Sequence, residues 1–270
     1  MMNQKNLFDK YLKLLGINKS KPDFDLFKKI VKTHLIKVPF ENISKLLYKK
    51  QGMNYIPDLG LFLEGIEKYN FGGTCYTNNY YLFSLLKYLG YDIRLCGADM
   101  KNPDVHIISI VKIDNKEYLI DAGNAAPFFE PLPTFLTEDY VIEFGNEKYI
   151  VKPKDETGKI KIEQYSDGKL QHWYTTLALE RKIEDFRKVI EESYSSNAVF
   201  MNAVRITRYS TKGSKVLKNF SFTEIAGNEY KTRKIIPAYL SSEIEMNFGI
   251  PLIVVNEAIG SIKELKDIYD

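Results

Sequence analysis

The hydrophobic period of this chain changes once, near residue 90, and that limits it to folds in which a helical part precedes a strand-rich part. Before the change, apolar residues recur at helical spacing. Leu7, Tyr11, Leu14 and Leu15 share one face of a helix that Gly16 ends. Pro22-Asp23 opens a second helix with Leu26, Phe27, Ile30 and Val31 inward. Pro39 interrupts before a short segment, 42–48, and Pro57-Asp58 opens a third helix with Phe62, Leu63 and Ile66 inward. Past the loop Asn70-Phe71-Gly72-Gly73-Thr74, residues 75–89 are helical again, with Leu82, Leu85, Leu86 and Leu89 inward. After the change, 91–98, 105–113 and 117–122 read as strands, the last two joined by a tight turn at Asp114-Asn115. Short strands near 140–144, 147–151, 159–165 and 169–175 suggest a small antiparallel barrel or sandwich. The last third is mixed. Segments 183–194 and 238–248 look helical, 200–209 and 215–223 form a β-pair, and the tail from Glu257 is charged and amphipathic.

At 270 residues the chain is one large domain or two to three small ones. Its 44% hydrophobic and 27% charged residues exclude a disordered chain. A net charge of +3 is too small to argue for nucleic acid or a membrane surface. Cys75 and Cys96 cannot build a disulfide framework, which fits a reduced, cytoplasmic setting. The N-terminus carries no signal-peptide pattern, and no run reaches the roughly 18 apolar residues of a spanning helix. No CxxC, HExxH or EF-hand pattern is present, so no metal is expected.

The segment Phe71-Gly72-Gly73-Thr74-Cys75 carries the chemistry. Cys75 stands at the start of an apolar helix, near the positive end of the helix dipole and unpaired backbone N–H groups, where the ionised thiol is favoured. The glycines let a substrate approach the backbone. His106 begins one apolar strand and Asp121 ends the next, so a hairpin through Asp114-Asn115 sets them nearly opposite, offset by a diagonal step. Alone, each of the three reads as readily as a core thiol, a satisfied core histidine or a strand-end cap. In this order and context they read as a candidate catalytic triad, Cys75, His106 and Asp121.

These motifs resemble the arylamine N-acetyltransferase family. The family's nucleophile motif is Arg-Gly-Gly-x-Cys-x-Glu-x-Asn, matched here by Phe71-Gly72-Gly73-Thr74-Cys75-Tyr76-Thr77-Asn78-Asn79. Its Pro-Phe-Glu-Asn motif is intact at Pro39-Phe40-Glu41-Asn42, with His34 shortly before. His106, Asp121 before Gly123, His172-Trp173-Tyr174, Phe200-Met201-Asn202 and Asn247-Phe248-Gly249 also match, so the resemblance spans nearly the whole chain. It implies an α+β fold with a cysteine-protease- or transglutaminase-like core. An N-terminal helical bundle (1–90) would carry the Cys, a central antiparallel β-barrel (91–180) the His and Asp, and an α/β lid (181–270) would follow. It further implies a two-step, ping-pong transfer of an acetyl group from acetyl-CoA to Cys75 and then to an arylamine or related amine. The partners would be coenzyme A and a small amine, with no nucleic acid and no membrane. The same resemblance puts Phe40, Phe200, Gly123 and Asn124 at the substrate. His34, His172 and Cys96 read as structural, and Lys212, Lys215 and Arg233 are scattered cations available to coenzyme A.

Three positions depart from the family. Phe71 replaces the motif's Arg and Thr77 its Glu, a paired loss that leaves no orphan charge. Asn124 stands where an aromatic is usual, which predicts a weaker preference for flat arylamines. The alternatives are a thiol hydrolase or amide synthase with the same triad, or a non-catalytic ligand-binding relative.

Overall fold

The computed structural model describes residues 4–227 and 229–265. Helices α1 (Gln4–Leu15), α2 (Phe24–Lys37), α3 (Ile43–Lys50), α4 (Leu59–Tyr69) and α5 (Cys75–Tyr88) fill the first third, with the two-residue strand β1 (Phe40–Glu41) before α3. The Pro-Asp signals work as caps. Asp23 and Asp58 accept hydrogen bonds from Leu26 N and Leu61 N at 2.7 and 2.8 Å. One expected stripe shifts by a residue: α1 buries Phe8, Tyr11, Leu12 and Leu15, while Leu7 and Leu14 are half-buried. The aromatic Phe8 outweighs the aliphatic stripe.

The middle of the chain forms β2 (Asp92–Asp99), β3 (His106–Ile113), β4 (Lys116–Ile120), β5 (Leu132–Pro133), β6 (Tyr140–Phe144), β7 (Glu147–Val151), β8 (Ile160–Ser166) and β9 (Lys169–Thr176). They make one antiparallel sheet in the order β5-β4-β3-β2-β9-β8-β7-β6. Its two ends, β5 and β6, do not pair with each other, so it is a half-barrel. Asp114 and Asn115 both have positive φ, 50° and 60°, the mirror-image turn that matches strand twist. β3 is covered on both faces: Ile107 packs with the helices and the C-terminal elements, Ile108 and Ile110 with the sheet's own core of Cys96, Leu119, Tyr149 and Tyr174.

The last third holds a 3₁₀ turn (Ile183–Phe186), α6 (Arg187–Glu192), a 3₁₀ turn (Val199–Met201), β10 (Arg205–Ser210), β11 (Gly213–Lys218), β12 (Ser221–Ala226), β13 (Glu229–Lys234), α7 (Leu240–Phe248) and α8 (Leu252–Ile259). The expected β-pair is instead a four-stranded meander. Asn219, with φ 51°, breaks the run 215–223 into two strands, and Phe200 sits in a 3₁₀ turn ahead of β10. β13 is exposed at every position, so it carries no apolar alternation to read. β1 pairs with β10, Phe40 opposite Thr207 and Glu41 opposite Ile206, which joins the first third of the chain to the last in one five-stranded sheet. The amphipathic tail is partly α8, which packs on α3 and buries Val255 and Ala258; residues 266–270 lie outside the described residues. The whole is a mixed α/β fold.

Candidate active site

Cys75 is the first residue of α5, and backbone contacts fix it from both sides. Upstream, Gly73 runs parallel to Phe40, with Glu41 N donating to Gly73 O at 3.1 Å and Gly73 N to Pro39 O at 3.4 Å. Only glycine allows this approach. A Cβ on Gly72 would lie 1.9 Å from Pro39 O, and one on Gly73 would lie 2.7 Å from Thr77 Cβ. Asn78 Nδ2 donates to Pro39 O and Gly73 O at 3.2 and 3.0 Å. The two motifs read separately in the sequence are therefore one hydrogen-bonded structure.

Glu41 is wholly buried inside it, accepting from Ser44 N, Ser44 Oγ and Gly72 N at 2.9, 2.5 and 3.2 Å. Burial pushes its carboxyl upward, against the pull of these donors. Asn42 links the same region to the C-terminal sheet, donating to Phe200 O and Ala203 O and accepting from Arg205 N at 2.8, 2.7 and 2.8 Å. Phe71, in place of the family's Arg, is buried against the rings of Tyr48 and Tyr69 and the helix surface at Gly65. Thr77 is buried over Gly73. Neither departure leaves a buried charge of its own.

The other wall comes from the β3–β4 hairpin. Its register sets Ser109 opposite Ile120, which leaves Asp121 just past the ladder, diagonal to His106. His106 Nε2 donates to Asp121 Oδ2 at 2.8 Å, and both side chains are shut off from solvent. Tyr174 OH donates to the same oxygen at 2.8 Å. Asn79 Nδ2 and Gly123 N donate to Oδ1 at 2.8 and 3.0 Å. Burial alone would raise the Asp121 pKa, but the His106 imidazolium and these donors hold it below the ordinary range. For His106, burial alone would favour the neutral ring; the Asp121 carboxylate, and then Cys75, outweigh it and push the pKa up to about 10. With Nε2 taken by Asp121, Nδ1 is the nitrogen left for the Cys75 sulfur, which lies within hydrogen-bonding reach of the ring. Gly123 closes the contact: a Cβ there would lie 2.5 Å from Cys75 Cα and 2.9 Å from Cys75 O.

Cys75 and His106 open on a cavity of about 510 Å³ that Phe40, Gly123, Asn124 and Phe200 also line. So does His172, which the sequence assigned to packing; burial, then His106 and Arg205, hold its pKa down to about 4, so it is neutral near pH 7. Lys212 and Lys215 line other surface clefts, and Arg233 is paired with Glu243 at 2.6 Å. The cations in the Cys75 cavity are instead Arg205, Lys218 and Lys169. Cys96 is a buried thiol that burial pushes up to about 12, and His34 is buried against Tyr11 OH at 2.8 Å. Sequence reasoning missed what Asn79 and Tyr174 do. Asn79 has a signal, since it lies one helical turn after Cys75 on the same face. Tyr174 has none.

A family profile described as N-acetyltransferase matches residues 23–256. The arylamine N-acetyltransferase pineal gland isozyme NAT-3 of Gallus gallus is 25% identical over 259 residues, covering 86% of this chain and 87% of that protein. Arylamine N-acetyltransferase 1 of Homo sapiens is 25% identical over 268 residues, covering 87% and 89%. In fold, the chain is similar to the Mycobacterium marinum arylamine N-acetyltransferase solved in complex with CoA, with a TM-score of 0.79 at 18% identity over 96% of this chain and 99% of that one. The chain belongs to the arylamine N-acetyltransferase family and is an enzyme of that class.

Proposed function

We propose that this enzyme moves an acetyl group from acetyl-CoA to an arylamine or related amine through a thioester on Cys75. The observation that carries the reading is the buried His106–Asp121 pair set against a thiol at a helix start and a cavity. His106 takes the Cys75 proton, which makes the sulfur the attacking thiolate. The sulfur attacks the thioester carbonyl, the bond from carbonyl carbon to coenzyme A sulfur breaks, and the departing thiolate takes the proton from His106. The amine then attacks the Cys75 thioester. Neutral His106 accepts the amine proton, the bond from carbonyl carbon to Cys75 sulfur breaks, and the thiolate–imidazolium pair returns. Asp121 holds the ring in orientation and balances its charge in both steps. The Cys75 backbone N–H at the start of α5 is the donor for each tetrahedral oxyanion.

In this reading residues 1–90 present the nucleophile and residues 91–180 the His–Asp pair, as in a cysteine-protease-like core. Residues 181–270 act as the lid that keeps water from the acyl-enzyme. Phe40, Gly123, Asn124 and Phe200 bound the acceptor. Asn124 adds an amide to that wall, which disfavours simple anilines relative to polar or heterocyclic amines. Mass spectrometry after incubation with acetyl-CoA tests the reading. One acetyl group, located on Cys75 and stable until amine is added, is expected. An adduct elsewhere, or none, overturns it, and an adduct that hydrolyses at once turns it into a thiol hydrolase.

A further inference from the structure

Lys45, on α3, is a buried ammonium whose contacts are all to neutral groups. It is 5% exposed, donates to Ser193 Oγ at 2.6 Å and lies 3.9 Å from the centre of the Tyr194 ring. Ser193 Oγ in turn donates to Ile190 O at 2.5 Å, at the carbonyl end of α6. Among the described residues Lys45 forms no ion pair with a carboxylate. A buried ammonium is costly unless an opposite charge balances it.

The acids on the elements around Lys45 are engaged elsewhere. Glu41 accepts from Ser44 N, Ser44 Oγ and Gly72 N. Glu191 and Glu192 of α6 pair with Arg187 and Lys188 at 3.4 and 3.9 Å, and Glu257 of α8 pairs with Lys50 at 3.7 Å. Tyr48, Tyr76 and Tyr194 are pushed up by burial and stay neutral. The group left is Cys75, which packs against the same apolar cluster as Ile43, Leu46, Tyr48 and Tyr194.

The backbone ties the two regions together. The Phe40–Gly73 bridge and the bond from Glu41 N to Gly73 O join the head of α3 to the cysteine turn. Tyr48, three residues after Lys45 on α3, meets the Phe71 ring edge to face. Phe71 stands where the family motif has Arg, so this chain carries a buried cation on α3 and none at that place in the turn. Burial brings the Lys45 pKa down to about 8, Cys75 pulls it up, and such a pull is mutual. Lys45 does not line the Cys75 cavity, so it acts through the sulfur and not on the substrate.

We propose that Lys45 is a positioning residue for the acyl transfer, its buried ammonium supporting the negative charge that the Cys75 sulfur carries as it attacks the thioester and again as it leaves the second tetrahedral intermediate. This rests on the acyl-transfer reading and adds a second cation to the one His106 supplies.

The test follows ionisation of Cys75 through the pH dependence of its alkylation by iodoacetamide, located by mass spectrometry, in the full chain and its K45M and K45R variants. K45M should raise the midpoint by about one pH unit, a tenfold loss of thiolate below it, and K45R should restore it. Acetylation of Cys75 by acetyl-CoA near pH 7 should slow about threefold to tenfold in K45M, because a more basic thiolate recovers part of the loss as nucleophilicity. A lysine that only fills space would lower the melting temperature and leave the midpoint in place, and that result overturns the proposal. If K45M does not fold, the wild type decides by NMR of lysine labelled with nitrogen-15. Capping Cys75 with methyl methanethiosulfonate removes its charge and should lower the Lys45 midpoint below about 8; an unmoved midpoint overturns the proposal. Should acetyl-CoA leave Cys75 unmodified while these midpoints still move, the transfer reading fails and the coupling of Lys45 to the sulfur stands.

Discussion

Two histidines in this molecule are equally hidden, at 0% and 1% exposure, and titrate in opposite directions. His34, in the helical part, hydrogen-bonds to the neutral Tyr11 hydroxyl, and burial holds its pKa down to about 3. His106, at the start of β3 in the half-barrel, meets a carboxylate and is pushed up instead. Two carboxyls repeat the contrast. Glu41 is surrounded by neutral donors and shifts up; Asp121 has an imidazolium besides its donors and shifts down. Burial makes the environment matter, but the charged partner sets the sign. One half of the site is thus built from backbone and glycine around Glu41, the other from a charge pair around Asp121.

The strongest way to break the contrast is to make His106 resemble His34. Asp121→Asn keeps the shape but removes the charge that supports the imidazolium. Acetyl transfer should fall by about 10⁴-fold with the fold retained by circular dichroism. A loss below tenfold would show that the pair is structural. In the wild type the pair's stability has a defined window. The His106 part is complete below the unfolded pKa of about 6.5 and is lost as pH rises toward the folded value of about 10. The Asp121 part is present above about 3.9 and is lost as pH falls through its depressed folded value.

Gly123→Ala attacks the geometry rather than the charge. Its Cβ would stand 2.5 Å from Cys75 Cα, where only backbone can give way. Displacing the sulfur from the ring by part of an ångström should cost about 10²-fold in kcat. Stopped-flow acylation of Cys75 measures this directly; an unchanged rate would mean that the two walls move together.

His34 offers a check with the opposite sign. Its folded pKa is lowered, so the unfolded chain binds a proton the native ring refuses. Stability should therefore drop as pH falls from about 6.5 toward 3. Between pH 7 and pH 5 the loss from this one group is about 2 kcal/mol, read from urea unfolding. His34→Gln should remove that slope while leaving acetyl transfer at pH 7 nearly unchanged.

Much of the site was legible because it is local. Pro-Asp marks the helix starts, Gly-Gly marks the close approach before Cys75, and the Asp114-Asn115 turn fixes the register that joins His106 to Asp121. What was not legible arrives by distant pairing. Tyr174 reaches Asp121 only because β9 pairs with β2, Thr176 opposite Ala98. Arg205 faces the cavity beside Lys218 only through the register of β10 and β11, and those strands were misread because Phe220 and Phe222 carry an apolar pattern across the turn at Asn219. A polar strand such as β13 leaves no periodic trace to read.

Tyr174→Phe gives the smallest and finest test. The change is isosteric and deletes one donor to Asp121 Oδ2, leaving those from His106, Asn79 and Gly123. A hydrogen bond to a buried carboxylate contributes about 1.5 kcal/mol, so the midpoint of thermal unfolding should fall by a few degrees and kcat by less than tenfold. The informative readout is the pH profile. With one donor gone, Asp121 holds its charge less firmly and supports the imidazolium less, so the alkaline limb of the rate profile should move to lower pH. A tyrosine that merely fills space would lower the melting temperature and leave that limb where it is.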